Sequence, residues 1–288
     1  MTATRLYDRV VRVTLARPLE GDYFKTATAN GVIVSDLRVV FRVEKSLASD
    51  PNTASVTLYN LSPDSRELLE KRPVHVRIEA GHDNDPRRLF VGDMIHNETH
   101  ADQVDIPTTL QIGDGARAYR FARVPPRAFR AGVDVRTLVV AAAQSMGLKV
   151  PTSAAGAVEL SKQMASGYTL EGAAPAQLTG LLKPVGLGWS VQDGQLQILR
   201  DDEVRADEAV LVNEDTGMIG APVYGAPQKA GDPPTLTVKM LLYPGLTPGG
   251  RIKVQSQHLN GVFKMRRVMH NGDTHGPDWY SEIEATPR

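Results

Sequence analysis

The sequence predicts a mainly β protein with a small α/β insertion in its middle. Both ends of the 288-residue chain carry short segments in which apolar and polar residues alternate, and turn residues separate these segments. Residues 134–150 and 175–186 instead place apolar residues at helical spacing, and the strand pattern returns at residue 209. We therefore expect two strand-rich ends, each folded as a barrel or sandwich, on either side of an unlike middle.

The N-terminal part predicts six strands. Turn residues separate them at Asn30-Gly31, Asp50–Asn52, Asp83–Pro86 and Gly113–Gly115. The predicted strands are residues 10–17, 31–45, 54–61, 73–81, 87–99 and 101–115.

One short helix interrupts these strands. Ser62 is suited to cap its free amide groups, Pro63 suits the first helical position, and Pro73 stops the helix. Leu68 and Leu69 are expected to face inward while the charged residues stay in water. We expect this helix to close one end of a barrel and to shield its core.

The middle of the chain predicts two helices and a hairpin. The first helix begins after Asp134 and ends at Gly147, and the second spans residues 175–186. Asp193-Gly194 predicts the tight turn of the hairpin. Trp189 is expected in the core of this unit. The inward positions of the first helix are Leu138, Val139, Ala142 and Met146.

The C-terminal part predicts five further strands, with linkers rich in Pro and Gly at residues 224–234 and 243–250. A weak internal echo relates this part to the first: segments starting at Phe90 and Phe263 share an order of residues that includes His96-Asn97 and His270-Asn271. Such an echo predicts two equivalent barrels. The predicted strands are residues 209–223, 234–242, 249–257, 261–273 and 278–287.

We accordingly divide the chain into three predicted domains. The N-terminal β-barrel with one short helix covers residues 1–118, the small α/β domain residues 119–206, and the C-terminal β-barrel residues 207–288.

Composition excludes several function classes. The chain has 33 basic and 33 acidic residues and no basic run, which disfavours binding to nucleic acid or anionic membranes through bulk charge. It has no cysteine, so disulfides and thiol catalysis are excluded and a reducing compartment suits it. The N-terminal residues have no apolar core of the length a signal peptide needs, and we expect no membrane-spanning helix.

Two histidine pairs are the strongest chemical candidates. His96 and His100 flank Glu98, and His270 and His275 occupy the second strand-rich end. A zinc protease motif needs the histidines on one helical face with the glutamate directly after the first. On an extended strand, residues four apart are about 13 Å apart, too far to share one ion. Polar hairpin tips are therefore the preferred interpretation, and a metal site formed through a tight turn is the alternative.

Other catalytic motifs are missing from the sequence. It contains no phosphate-binding loop, nucleophile elbow or dinucleotide fingerprint. The carboxylate pairs Asp201-Asp202 and Asp102/Asp105 are of the kind expected on a solvated surface. We assign no catalytic, cofactor-binding or metal-binding residue and expect neither an enzyme nor a cofactor. The alternatives kept open are a peptidoglycan hydrolase or metal-dependent enzyme that uses the His96/His100 region, and a carbohydrate-binding β protein.

Several motifs in order resemble the phage tail baseplate hub proteins. At the C-terminal end, residues 217–223 and 244–279 are also similar to the last hub domain, with a Pro-Gly strand and a His-x-Gly-Asp turn. The N-terminal matches are Phe41 to Lys45, Pro51 to Ala54, Tyr59 to Ser62, Ala80-Gly81 and Leu89 to Asp93.

This resemblance implies a structural role. It implies two tube-like β-barrel domains in each subunit and a homotrimer, whose six barrels form a ring that joins the six-fold tail tube to the three-fold spike. The implied partners are the tail spike protein, the tail tube or tube-initiator protein and baseplate wedge proteins, with no specific nucleic acid and no direct membrane insertion. The implied location is the virion tail baseplate, after assembly in the host cytoplasm.

Overall fold

A computed structural model describes residues 8–19, 23–24, 31–71, 73–83, 85–100, 104–151, 156–225 and 234–287. Three sequence predictions fall partly outside these residues: the turn residues Asn30 and Asn84, the carboxylate of Asp102, and most of the linker at 224–234. No helix in the described ranges is long and apolar enough to cross a bilayer.

The first part of the chain is built from strands, as predicted. The predicted strand at 31–45 is wrong in one respect, because a bend at Asp36 and Leu37 divides it into two strands that pair with different neighbours. The elements are β1 (Arg9–Ala16), β2 (Val32–Val34), β3 (Val39–Ser46), β4 (Thr53–Tyr59), α1 (Pro63–Glu70), β5 (His75–His82), β6 (Asp85–Thr99) and β7 (Pro107–Gly113).

Helix α1 begins where the sequence predicted and ends at Glu70, before Pro73. The Ser65 amide donates to Ser62 Oγ at 3.3 Å, and Pro63 occupies the first turn. Leu69 is buried in the core formed by the first part of the chain, and Leu68 packs against that core. The helix therefore covers one side of this core, as its amphipathic sequence requires.

The middle of the chain contains the two predicted helices and the hairpin. Trp189 is buried in its core, where it stacks on Tyr119 with a centroid distance of 5.7 Å and donates from Nε1 to Thr179 Oγ1 at 3.0 Å. The elements are α2 (Ala116–Phe121), β8 (Arg123–Phe129), α3 (Val135–Ser145), α4 (Ala157–Leu160), β9 (Tyr168–Ala173), α5 (Ala174–Leu182), a 3-10 turn (Lys183–Val185), β10 (Leu187–Gln192) and β11 (Gln195–Arg200).

The sequence did not predict α2, α4, β8 or β9. The two-stranded antiparallel sheet of β8 and β9 is mostly exposed, so it lacks the alternation that marks a half-buried strand. Pro125 and Pro126 interrupt β8 at a shift in its register with β9, which further hides the pattern.

The last part of the chain returns to strands. The predicted strand at 209–223 is wrong in extent, because a turn at Asn213–Gly217 divides it. The elements are β12 (Val210–Val212), β13 (Met218–Gly225), β14 (Thr235–Leu241), β15 (Arg251–Gln255), β16 (Asn260–Asp273) and β17 (Trp279–Pro287).

The two strand-rich ends are joined in one hydrogen-bonded sheet. This 13-stranded sheet runs β13-β14-β17-β16-β3-β4-β7-β6-β5-β1-β2, with β15 on β16 and β12 on β15. The described strands therefore do not form two sheets separated from each other, because β3 of the first part pairs with β16 of the last. The buried apolar residues form three clusters, mainly in the first, middle and last parts of the chain, and the first cluster also includes Leu242 and Trp279 of the last part.

Candidate assembly interface

The two halves of the sheet repeat one strand order. In the first half the neighbours run β3-β4-β7-β6-β5, and in the last half β13-β14-β17-β16-β15. All of these neighbours pair antiparallel. When the five strands of each set are numbered along the chain, equal numbers occupy equal positions in the sheet. This is the arrangement expected of a duplicated unit.

Two β-bulges fix which residues correspond. The register of β6 with β7 shifts between Met94 and His96, and that of β16 with β17 shifts between Met265 and Arg267. The Met94 amide bonds the carbonyl before β5 and the Met265 amide the carbonyl before β15, each at 2.9 Å. The bulges therefore align Met94 with Met265.

This alignment corrects the residue matching in the sequence echo. The echo identified the correct pair of hairpins, β6-β7 and β16-β17, but it matched His96 with His270. The bulges place His96 opposite the position of Arg267 and make Thr99 the equivalent of His270. The sequence match is therefore three residues out of register at the histidine, because a short motif that shares a few residue types does not by itself fix the register of two strands.

The seam between the halves is the pairing of β3 with β16. Seven residue pairs run from Arg267 with Ser46 to Asp273 with Val40. The Leu47 amide donates to the Arg266 carbonyl at 3.2 Å, which continues this register by one residue. Bonded and non-bonded pairs alternate in antiparallel strands, so Val43 and His270 form a bonded pair.

Ion pairs hold both ends of this seam. Arg38 donates to both carboxylate oxygens of Asp273, with Nη2 at 2.8 Å from Oδ2 and Nε at 3.3 Å from Oδ1. The hydrogen bond from Arg38 lowers the pKa of Asp273 to about 2, despite the opposing effect of partial burial. At the other end Arg267 bridges Glu44 at 2.8 Å and Glu284 at 3.2 Å.

A buried polar cluster attaches the middle unit beside the seam. Lys45 Nζ lies 3.0 and 2.8 Å from the two carboxylate oxygens of Asp193 in the β10-β11 turn. Asn52 donates to the Val191 carbonyl at 2.8 Å, and Gln192 donates to the Ser46 carbonyl at 2.7 Å. These bonds satisfy polar groups that would otherwise be costly to bury.

Asp114 completes this cluster. Its Oδ1 accepts the Gly194 amide at 3.2 Å, and its Oδ2 has no partner among the described residues. Burial raises the pKa of Asp114 to about 7, and the nearby Asp193 carboxylate adds to this rise while Lys45 opposes it. The cluster therefore holds a carboxyl group that changes charge near neutral pH.

His270 lies in the seam itself. It is fully buried, and its Nδ1 is 2.8 Å from Ser281 Oγ, which also accepts the Tyr243 amide at 3.0 Å. His270 Nδ1 and Ser281 Oγ therefore share a hydrogen bond in which either atom can donate, and His270 Nε2 has no hydrogen-bond partner among the described residues. Burial lowers the pKa of His270 to about 3, and the charge of Lys45 adds to this effect.

The two predicted histidine pairs differ in burial and in their contacts, so they are not two equivalent sites. His96 and His100 are exposed on β6 and at its end, where His100 Nε2 lies 3.3 Å from Glu98 Oε1. His270 is buried, whereas His275 lies in the turn after β16 and contacts Thr274 Oγ1 at 2.9 Å. Across the ranges that the structure describes, no group of three or more His, Cys, Asp or Glu side chains is placed to hold a metal ion.

In the predicted pair Asp201-Asp202 the two carboxylates have different surroundings. Asp201 pairs with Arg266, and the side chain of Asp202 is 83% exposed. Asp105 Oδ1 accepts a hydrogen bond from the Asn60 side-chain amide at 3.1 Å, and its predicted partner Asp102 lies outside the described residues.

The sequence analysis missed Lys45, although the sequence carries a signal for it. Val39, Phe41 and Val43 are the buried positions of β3, and Lys45 continues the same alternation into the core. A lysine in the inward phase of a strand needs a buried partner. That signal indicates a site but does not identify Asp193, which is 148 residues away.

One edge of the sheet is open within the described residues. β13 pairs with β14 alone, and the described part of the chain places no strand against its other edge. Val223 and Tyr224 of this strand are 62% and 49% exposed. An exposed apolar edge strand of this kind is a template for pairing with another chain.

Comparison with known proteins identifies relatives of this arrangement. The family model described as "Baseplate hub gp41" matches residues 10–284. No curated protein sequence matches the chain significantly.

Solved structures share the fold at low sequence identity. The 43 kDa tail protein of prophage MuSo2 from Shewanella oneidensis has a TM-score of 0.65 and 11% identity, over 96% of this chain and 98% of its own. A tail protein from Neisseria meningitidis MC58 has a TM-score of 0.62 and 12% identity, over 97% of both chains. The E. coli c3393 protein, a type VI secretion system component, has a TM-score of 0.58 and 12% identity, over 87% of this chain and 73% of its own.

Proposed function

The chain belongs to the baseplate hub gp41 family of phage tail structural proteins, and from this premise we propose that three copies form a pseudo-six-fold ring that joins the tail tube to the central spike. The observation that carries the proposal is the repeated strand order, β3-β4-β7-β6-β5 and β13-β14-β17-β16-β15, within one chain. Two equivalent units in each of three copies supply six similar units, which match a six-fold tube on one side and a three-fold spike on the other.

The domain organisation of this proposal follows the three apolar cores. The N-terminal unit, residues 1–118, and the C-terminal unit, residues 207–288, each form a tube-like barrel in the ring. The α/β unit, residues 119–206, lies on the outside. Its attachment through Lys45, Asn52 and Asp193 supports this placement, because a buried ion pair and a hydrogen bond from the Asn52 side-chain amide fix it beside the seam.

The proposed partners are other tail proteins. They are a second and third copy of this chain, the tail spike protein, the tail tube or tube-initiator protein, and baseplate wedge proteins. Assembly takes place in the host cytoplasm and the finished ring resides in the tail baseplate. The contacts need shape-matched surface and open strand edges rather than a cofactor or nucleophile, so the protein has no enzymatic role in this proposal.

The test is the mass of the purified protein in solution by light scattering, repeated after mixing with the spike protein encoded beside it. A trimer, or a monomer that becomes a trimer with the spike, is the expected result. A monomer that ignores the spike and the tube protein contradicts the ring. In that case, zinc titration of the protein and of a His96→Ala, His100→Ala variant would test the metal-dependent alternative.

A further inference from the structure

We propose that β13 of one copy pairs antiparallel with the end of β6 in the next copy, in the register that β3 and β16 use within one chain. This inference rests on the proposed ring and adds the residues that would close it. The proposed pairing follows from the repeated strand order. Each half of the sheet carries one edge of the β3 type and one edge of the β16 type. The seam joins the β3-type edge of the first half to the β16-type edge of the last half. The remaining edges are β13, which corresponds to β3, and the end of β6 after Asp93, which corresponds to β16 and, among the described residues, pairs with β7 but no longer with β5.

The equivalence of Tyr224 with Val43 follows from neighbouring strands. Val43 pairs with Ala54, whose other neighbour on β7 also pairs with Met94. Tyr224 pairs with Leu236, whose other neighbour on β17 also pairs with Met265. Because Met94 and Met265 occupy matching bulges, Tyr224 holds the place of Val43.

The register of the proposed pairing follows directly. His270 pairs with Val43 in the seam and lies five residues after Met265. Thr99 lies five residues after Met94 and therefore pairs with Tyr224 of the neighbouring copy. The adjoining pairs are then His100 with Val223 and Glu98 with Gly225.

The exposed side chains and the backbone of β13 fit this partner. Val223 and Tyr224 are large apolar side chains at 62% and 49% exposure, and a neighbouring strand would cover them. Val43 with His270 is a bonded pair by alternation, so Tyr224 presents its amide and carbonyl to the open edge. Pro222, which has no amide hydrogen, lies in the bulge of β13 between Ile219 and Val223, just before the three residue pairs named above.

A second copy is favoured over another tail protein because one chain carries both complementary edges. Its own seam shows that these two edge types are compatible. The contact is heterologous, since β13 and β6 are different surfaces, so repetition of the contact gives a ring or an open chain rather than a two-fold dimer.

Cysteine cross-linking tests the register, because the chain has no cysteine of its own. His100 and Val223 form a non-bonded pair in the proposed pairing, for which Cα atoms lie about 4.5 Å apart. This distance lies within the range of about 4.4–6.8 Å that a disulfide requires. The test protein is the full chain with His100→Cys and Val223→Cys, oxidised mildly in the assembled state, with the spike present if the spike is needed. We expect a covalent trimer on a non-reducing gel that returns to monomer with reductant.

The matched control moves one cysteine along the same strand. The variant with His100→Cys and Ile219→Cys places the second thiol on β13 four residues away, at a side chain that is 38% exposed. It should give at least tenfold less covalent trimer. Equal cross-linking in the two variants would overturn the proposed register.

Light scattering on the same samples distinguishes a failure of the proposed strand pairing from a failure of the proposed ring. A trimer that forms no cross-link in the His100→Cys, Val223→Cys variant overturns the strand pairing and leaves the ring. Protection of the Val223→Cys thiol from maleimide only when the tube protein is added assigns β13 to that protein and also overturns the pairing. A chain that stays monomeric with every partner overturns both.

Discussion

Lys45 and Asp193 form a buried ion pair across 148 residues of sequence, and it ties the middle unit to the end of β3. Lys45 is 1% exposed, and its Nζ lies 2.8 Å from Asp193 Oδ2. Both carboxylate oxygens accept from the ammonium, so the lysine has charged partners in place of water. The pair lies next to the seam that joins the two halves of the sheet, since β3 contributes to both.

Replacing Asp193 by Asn should destabilise the protein strongly. The change leaves the buried Lys45 charge without its partner, and loss of one member of a buried pair costs about 3–5 kcal/mol. Asn tolerates the left-handed backbone of this position, where φ is 52°, so the turn itself is preserved. Urea denaturation at pH 7 measures the loss. The control is Glu67→Gln, which breaks the exposed pair with Lys71 and should leave the denaturation midpoint nearly unchanged.

The pKa of Asp114 predicts a pH dependence near neutrality. Because burial raises this pKa to about 7, the folded state holds a proton that the unfolded state releases near pH 4. The contribution of Asp114 to stability should therefore fall as pH rises from about 4 to 7. An Asp114→Asn variant lacks this titrating group. As pH rises from about 4 to 7, its free energy of unfolding should therefore rise by up to about 4 kcal/mol relative to that of the natural chain.

Denaturation midpoints from pH 4 to 8 test this difference. The comparison is between Asp114→Asn and Asp202→Asn, which changes a side chain that is 83% exposed. The denaturation midpoints of the natural chain and of the Asp202→Asn variant should change with pH by the same amount. A parallel curve for Asp114→Asn would show that this carboxyl group does not titrate in the cluster.

Local patterns predicted the strands and caps well. The alternation in β3 and β4 and the cap at Ser62 depend on residues close in sequence, and the structure has them where the sequence placed them. The Asp193-Gly194 turn was predicted for the same reason, with both residues at positive φ.

Long-range pairing was beyond the sequence. The seam between β3 and β16 joins segments more than two hundred residues apart, and nothing in either strand indicates the other. The duplicated strand order was visible only as an echo in the wrong register, three residues off at the histidine, because the bulges that fix the register depend on pairing with distant strands. The open edge of β13 was likewise hidden, since an edge strand and a central strand can share one pattern.

The ion pair of Arg38 with Asp273 predicts a loss of stability in acid. Its hydrogen bond holds the pKa of Asp273 at about 2, so the unfolded state takes up a proton near pH 4 while the folded state does not. The stabilisation is present above pH 4 and is lost as pH falls toward 2. Asp273→Asn should remove this loss and cost about 1 kcal/mol at pH 7, a small value because the Arg38 side chain is 41% exposed.

Thermal unfolding between pH 2 and 5 measures this effect. The natural chain should lose more stability across this range than the Asp273→Asn variant. His270 affects both proteins equally, because its pKa of about 3 arises from burial and from Lys45 rather than from Asp273. Identical slopes in the two proteins would contradict the assignment.

The close packing of Gly272 against Phe41 predicts that the seam cannot accept a side chain there. A Cβ on Gly272 would overlap the Phe41 ring, which is 2% exposed and meets the Trp279 ring edge-on at a centroid distance of 5.7 Å. Because the ring is held in the core, Gly272→Ala should cost about 1–3 kcal/mol through overpacking. The matched control is Gly180→Ala in α5, where a Cβ has no neighbour within 4 Å. That change should raise the unfolding free energy by about 0.5–1 kcal/mol, because alanine is the better helix former. Urea denaturation of both variants gives the comparison, and a Gly272→Ala protein as stable as the natural chain would show that Phe41 can move and that the seam is less tightly packed than its geometry indicates.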